Sequence, residues 1–340
     1  MNKGFWGKLD KPIFVLAPMA DVTDATFRRI IAKYGKPDVM WTEFVSADGL
    51  FLGGEKARKI LIKDLEFTEV ERPIVAQFFT SSTERMEKAS RLAMELGFDG
   101  IDINMGCPDK SIEKQGAGAA LIKNPDLAVQ LIKSAKKGAG DLPVSVKTRI
   151  GYNKIELEEW LPKLLSSEPA VVTIHARTRK EMSKVPAHWD QVKRAVEIRD
   201  ELGISTLIIG NGDTKDLSDA EQQARDTGAD GIMLGRAIFG NPWLFADLAR
   251  ARRDRQTEHP PKPTAKADNV HITVKECLEI LVEHTKLFDG LLPHKNFSIM
   301  KKHYKAYVTG WNGAKELRVK LMETHNADEV ESIIADYLKG

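Results

Sequence analysis

Eight short apolar segments recur along the chain at intervals of a few tens of residues, and this rhythm limits the fold more than any other feature. They are Phe14–Pro18, Val39–Phe44, Pro73–Phe79, Gly100–Met105, Pro143–Arg149, Val171–Arg177, Thr206–Gly212 and Gly231–Ala237. Each is rich in β-branched residues and nearly continuously apolar before it turns polar, the pattern of a strand buried on both faces. Helix-like stretches lie between them. Thr83–Leu96 opens on a capping Thr and carries apolar residues at helical spacing, and Pro125–Lys137 and Asp216–Thr227 are similar. Strand and helix in strict alternation predict a parallel sheet covered by helices. Eight such units over about 240 residues match a closed (β/α)8 TIM barrel, with a doubly wound open sheet as the alternative.

The alternation stops after Trp243–Arg253. Residues 251–270 are rich in proline and charge and read as a linker. From 271 to 340 helical periodicity returns without strands, in Val274–Phe288, Asn296–Val308, Ala314–Met322 and Ala327–Leu338. The expected organisation is therefore a catalytic barrel over 1–250, the linker, and a small all-helical C-terminal domain. With 340 residues, 42% of them hydrophobic, the chain can bury a large core without disulfides or metal. Its two cysteines, Cys107 and Cys277, argue against both a disulfide scaffold and a Cys-rich zinc site. The N-terminal MNKGFWGKLDKP lacks the apolar core of a signal peptide, and no run of about 18 apolar residues occurs. A cytoplasmic monomer with no membrane partner and no metal is expected.

Net charge is only +2, but it is unevenly placed. Between Lys286 and Lys320 the chain carries +6, with Tyr304, Tyr307 and Trp311 interleaved. Basic charge beside flat rings suits phosphates and bases. A solvated helix face with its aromatics turned to a core gives the same pattern.

In a barrel, chemistry collects at the C-terminal strand ends. In chain order these ends carry Pro18, Met19 and Ala20; Gln77; Asn104 and Cys107; Lys147 and Arg149; His175 and Arg177; Asn211, Gly212 and Asp213; Gly235 and Arg236. Glycine beside a polar residue after the seventh and eighth strands lets backbone N–H groups approach an anion, where barrels commonly hold phosphate. Ordinary turn glycines would look alike one at a time; both together favour a phosphorylated ligand. Lys147 interrupts an apolar strand, so it is either paired with a carboxylate or reserved for an anion or electron-rich ring. Cys107, between Gly106 and Pro108, could be a nucleophile, an acid or an inert thiol. Cys277 sits among leucines as a small buried hydrophobe.

Taken together, the motifs resemble one family. Ala17-Pro18-Met19-Ala20, Asn104-Met105-Gly106-Cys107-Pro108, Gly116-Ala117-Gly118-Ala119-Ala120-Leu121, Val146-Lys147-Thr148-Arg149, His175-Ala176-Arg177-Thr178, Asn211-Gly212-Asp213 and Gly235-Arg236-Ala237 are similar to the signature series of tRNA-dihydrouridine synthases. Met300–Met322 resembles that family's RNA-binding helical domain. The resemblance implies FMN at the barrel mouth. Pro18, Met19 and Ala20 would lie against the isoalloxazine, Gln77 would bond its edge, Lys147 would face its N1/O2 side, and His175 would lie near ring or phosphate. Asn211, Gly212, Asp213, Gly235 and Arg236 would hold the ribityl phosphate. NADPH would be the reductant and Cys107 the acid that protonates C5 of the reduced uracil. Asn104, Lys110, Arg149 and Arg177 would contact uracil or nearby phosphates, and Lys301, Lys302 and His303 the tRNA body. Competing readings are an FMN barrel acting on a free small molecule, an RNA-binding protein with a dead barrel, and an aldolase-like barrel using Lys147 as a Schiff base. The basic tail argues against the first, and the intact Cys107 and Lys147 against the second.

Overall fold

The computed structural model describes residues 2–248 and 272–339, so the linker expected over 251–270 lies outside the described residues. The chain divides into two compact units: Met1–Ala20 with Asp38–Gly235, and Asp21–Pro37 with Arg236–Gly340.

In the first unit all eight apolar segments form strands: β1 (Ile13–Leu16), β2 (Met40–Ser46), β3 (Ile74–Phe79), β4 (Gly100–Met105), β5 (Val144–Arg149), β6 (Val171–His175), β7 (Leu207–Asn211) and β8 (Gly231–Leu234). Neighbours in the sheet are parallel and follow chain order from β2 to β8, and β8 pairs with β1, placing Ile13 opposite Gly231 and Leu16 opposite Leu234. A parallel bridge between Val15 and Val39 closes the ring. There Asp38 N donates to Phe14 O at 2.9 Å and Leu16 N to Val39 O at 3.3 Å. The open-sheet alternative is thereby excluded. The covering helices start where short polar side chains supply caps. Thr83–Glu95 is capped by Ser82, one residue before the expected Thr83, whose hydroxyl accepts from Arg85 N. Asn124 caps Pro125–Ala139, and Asp216 caps Leu217–Thr227. Each satisfies N–H groups that the helix itself leaves open.

Side chains alternate in and out along each strand. The inward series packs one end of the barrel with Ile13, Val15, Val39, Trp41, Val75, Val171, Leu207, Ile209 and Met233. Toward the C-terminal ends the same series turns polar. Strand register then sets three rows: Gln77, Asp102 and Ser145; Asn104, Lys147 and Thr173; Arg149, His175 and Asn211.

The second unit holds the helices Ala25–Tyr34, Val274–Leu291, Met300–Tyr307, Ala314–Met322 and Ala327–Lys339. Ala25–Tyr34, which the alternation assigns to the barrel, groups here. Its Lys33 and Tyr34 bind Glu283 at 2.7 and 2.5 Å, and its Phe27 ring stacks on His284. The division therefore departs from the expected boundary near residue 250. Tyr304 and Tyr307 are fully buried, so these two interleaved aromatics serve the core. Trp311 is half-buried and donates to Tyr337 Oη at 3.0 Å. Among the described residues no helix is long and apolar enough to cross a membrane, and no group of three His, Cys, Asp or Glu could hold a metal ion.

Candidate active site at the C-terminal mouth of the barrel

Cys107 occupies the turn that leaves β4, and three features fix that turn. Asn104 Oδ1 accepts the backbone N–H groups of Gly106 at 3.2 Å and Cys107 at 2.9 Å. Arg149 Nε donates to Gly106 O at 2.7 Å. Ala119 N donates to Cys107 O at 2.9 Å, close beside Gly118. Gly118 has φ +60°, and a Cβ there would stand 2.7 Å from Cys107 O, so only glycine lets the two segments meet. The thiol is partly exposed among Phe44, Phe79, Ile112 and Ala117. Burial raises its pKa; the Asp109 amide opposes this, its carboxylate adds to it, and the charges of Lys147 and Arg149 oppose it weakly. The group is therefore a protonated thiol at neutral pH, suited to give a proton rather than to attack as a thiolate.

Lys147 makes no hydrogen bond or ion pair among the described residues. Burial, and secondarily Arg149, bring its pKa down to about 8, while Asp102 and Cys107 hold it up. It remains mostly a cation at pH 7, and the expected alternative of a lysine–carboxylate contact pair is absent.

Arg149 and Arg177, both expected at the substrate, are largely buried and bonded to nearby loops. Arg149 is 6% exposed and also donates to Thr178 O and Met182 O, clamping the loop after β6 to the Cys107 turn. Arg177 is 2% exposed and is shared among Val185 O, His175 Nε2 and the Asp213 carboxylate. Since an arginine only donates, His175 Nε2 accepts, which leaves its proton on Nδ1. Asn104 likewise faces inward to Gln77 and its own turn. All three hold loop backbone or side chains around the strand ends.

The β7 end forms a cradle. Asn211 Nδ2 donates to Met233 O at 2.8 Å, tying β7 to β8. Gly212, at φ +142°, has no room for a Cβ, which would lie 2.8 Å from Ala187 Cβ. Asp213 follows at φ +55° and accepts from Ala187 N and Arg177. The N–H groups of Gly212 and Gly235 have no backbone partner among the described residues. Gly235 lies 3.7 Å, measured from an added Cβ, from Met19 Sδ, bringing the β8 and β1 ends together. Pro18 is buried, Met19 half-buried and Ala20 exposed. Arg236 is exposed and opens the second unit.

Lys110 is exposed at the start of a short helix, Lys110–Glu113, that follows the Cys107 turn. Lys301 and Lys302 are half-buried on Met300–Tyr307. His303, expected to contact RNA, is fully buried against Phe27 and His284, with ring centroids 4.8 and 4.7 Å away, and so cannot. Asp102 lies below the strand ends, where the sequence pattern does not mark a site residue. It is fully buried, accepts from Gln77 Nε2 at 2.6 Å and Ser145 Oγ at 2.5 Å, and burial raises its pKa to about 6 against the pull of those bonds and Lys147. Its one signal was an acid inside the apolar run Gly100–Met105.

Comparison with known proteins agrees with this geometry. The family model described as dihydrouridine synthase matches residues 15–339. The chain is 40% identical to "Probable tRNA-dihydrouridine synthase 2" of Bacillus subtilis, over 99% of this chain and 97% of that one. It is 38% identical to "Probable tRNA-dihydrouridine synthase" of Staphylococcus aureus, over 99% and 96%. Among solved structures, histamine dehydrogenase from Rhizobium aligns with a TM-score of 0.52 at 13% identity, covering 81% of this chain and 48% of that one. 2-Naphthoyl-CoA reductase aligns at 0.53 and 11%, covering 71% and 50%. The chain thus spans about half the length of those two proteins, and the likeness shows a shared barrel. With its signature residues gathered at one barrel mouth and a family match over nearly its whole length, the chain belongs to the dihydrouridine synthase family.

Proposed function

We propose that the protein reduces the C5=C6 bond of specific uridines in tRNA to 5,6-dihydrouridine, with FMN as resident cofactor, NADPH as reductant and Cys107 as proton donor. The observation that carries this reading is the thiol of Cys107, kept protonated by burial on a turn pinned from two strands. The relatives' names point to tRNA uridine as the substrate class.

The residues present fit FMN. The unpartnered Lys147 cation offers a countercharge to an electron-rich ring. The N–H groups of Gly212 and Gly235, which no backbone carbonyl takes up among the described residues, suit a phosphate, with Asn211 and Asp213 shaping the loop around it. Thr173 Oγ1, buried in the Lys147 row without a partner among the described residues, is one more donor in the interior. Pro18, Met19, Ala20, Gln77, His175, Gly235 and Arg236 complete the set. When bound, the flavin supplies the two-electron reduction at C6.

The chain's own residues supply the rest. Reduction at C6 leaves carbanion character at C5, conjugated to the C4 carbonyl. Cys107 Sγ–H gives its proton to C5, completing the saturated bond and leaving a thiolate. Lys147 and Arg149 favour that thiolate, and solvent returns the proton. Positioned general acids contribute about 100- to 10,000-fold. The target uridine must leave the tRNA stack to reach a recessed site. Lys301 and Lys302 bind the tRNA body and Lys110 a phosphate near the mouth, offsetting the cost of extrusion.

The test is anaerobic stopped-flow spectroscopy of the purified protein. NADPH should bleach a flavin band, and tRNA lacking modifications should restore it, with the released cofactor having the mass of FMN. A bleached flavin that tRNA leaves unchanged would refute the proposal.

A further inference from the structure

The chemistry above gives Asp102 no step, yet the residue is fully buried in the barrel interior. Both its oxygens are used: Ser145 Oγ donates to Oδ1 at 2.5 Å, and Gln77 Nε2 to Oδ2 at 2.6 Å. The pattern continues outward. Gln77 Oε1 accepts from Asn104 Nδ2 at 3.1 Å, and Asn104 Oδ1 accepts the N–H groups of Gly106 and Cys107. Each amide has one donating and one accepting end, whereas an ionised carboxylate only accepts. Asp102 can therefore face only the NH2 end of Gln77. That turns Oε1 toward Asn104, which must answer with its own NH2. The carbonyl of Asn104 is thereby left for the turn. Reversing the first amide would reverse the second and set an NH2 against two backbone N–H groups, leaving buried donors unpaired.

We propose that Asp102 is a positioning residue that acts through Gln77 and Asn104 to fix the turn carrying Cys107. Its effect on turnover rests on the function proposed above; its effect on the turn does not.

The test compares Asp102→Ala with Asp102→Asn in the full-length, flavin-loaded protein. Asparagine can keep the order of the chain. Its Oδ1 accepts from Gln77, its NH2 donates to Ser145 Oγ, and Ser145 passes its own proton to Ile101 O, already 3.2 Å away. Alanine cannot. Asp102→Ala should lower kcat with tRNA by about tenfold or more while leaving KM within about twofold, and Asp102→Asn should stay within about threefold of wild type. Alkylation of Cys107 by iodoacetamide, followed by peptide mass, should shift by about threefold or more in the alanine variant only. If Asp102→Ala does not fold, the volume-conserving pair Asp102→Asn with Ser145→Ala carries the same expected loss. Equal loss in the asparagine and alanine variants, or wild-type kcat and alkylation in Asp102→Ala, overturns the proposal. A wild-type protein that reduces no uridine but shows the alkylation pattern would sink the proposed function and leave the relay standing.

Discussion

Lowering the pH should loosen the second unit through two histidines that cannot accept a proton where they sit. His284 and His303 are both fully buried, His284 stacked on Phe27 and His303 edge-on to it, and among the described residues neither ring nitrogen of either finds a hydrogen-bond partner. Burial lowers the pKa of His284 to about 3. Burial, helped by His284 and Lys302 and opposed by Asp24, moves that of His303 down as well. Phe239 packs on His303 and Tyr307 on His284, and the charged or titratable groups acting on His303 are His284, Asp24 and Lys302. A folded pKa below the unfolded value of about 6.5 means that the unfolded chain binds protons first, so stability falls as pH drops below about 6.5 and levels off only below the folded pKa. At pH 5 the unfolded histidine is about 30-fold more protonated than neutral, so His284 alone costs about 2 kcal/mol relative to pH 8. The figure barely changes if the folded pKa is a unit higher, because pH 5 still lies above it. His303 acts in the same direction. Urea unfolding followed by far-UV circular dichroism at pH 8 and pH 5 measures this. Wild type should lose about 2 kcal/mol more between the two than His284→Leu, since the carboxylates shared by both proteins cancel. Equal pH dependence in the two proteins would show that the pair does not titrate as argued.

Three further outcomes follow from the site. Cys107→Ala should keep its flavin and its reduction by NADPH but lose about 100-fold or more in kcat with tRNA, and near-normal turnover would remove the thiol as acid. Lys147→Met should weaken FMN binding and lower the potential of bound flavin, read by fluorescence and dye-linked titration; no change in either would rule out Lys147 as the countercharge to the ring. Replacing Lys301 and Lys302 by alanine should raise the tRNA KM and reduce the log–log salt slope by about 1.5, while flavin reduction continues. An unaltered slope would place the phosphate contacts elsewhere.

The barrel was legible because buried parallel strands write themselves as apolar runs, and all eight runs became strands. Their polar ends located the mouth, since a side-chain period of two carries Gln77, Asn104, Lys147, His175 and Asn211 to the inner face. The same continuity hid Asp102, Ser145 and Thr173, single polar residues inside runs that are otherwise apolar up to their ends. For Arg149 and Arg177 the sequence shows five donors each but not the loop carbonyls that engage part of them. His303 misled for the opposite reason. It sits in a basic stretch, but with Met300, Tyr304 and Tyr307 it completes the buried stripe of its helix, and that spacing was the better guide. Nothing local marks Ala25–Tyr34 as a helix of the second unit, because its partner Glu283 is some 250 residues away.

Reduction of uridine within tRNA is the reaction proposed for this chain. Unmodified tRNA incubated with the purified protein and NADPH, digested to nucleosides and weighed by mass spectrometry, tests it most directly. A uridine heavier by two hydrogen atoms, confined to particular positions and absent without protein, is expected. A flavin-loaded protein that consumes NADPH yet leaves every uridine unchanged would contradict it.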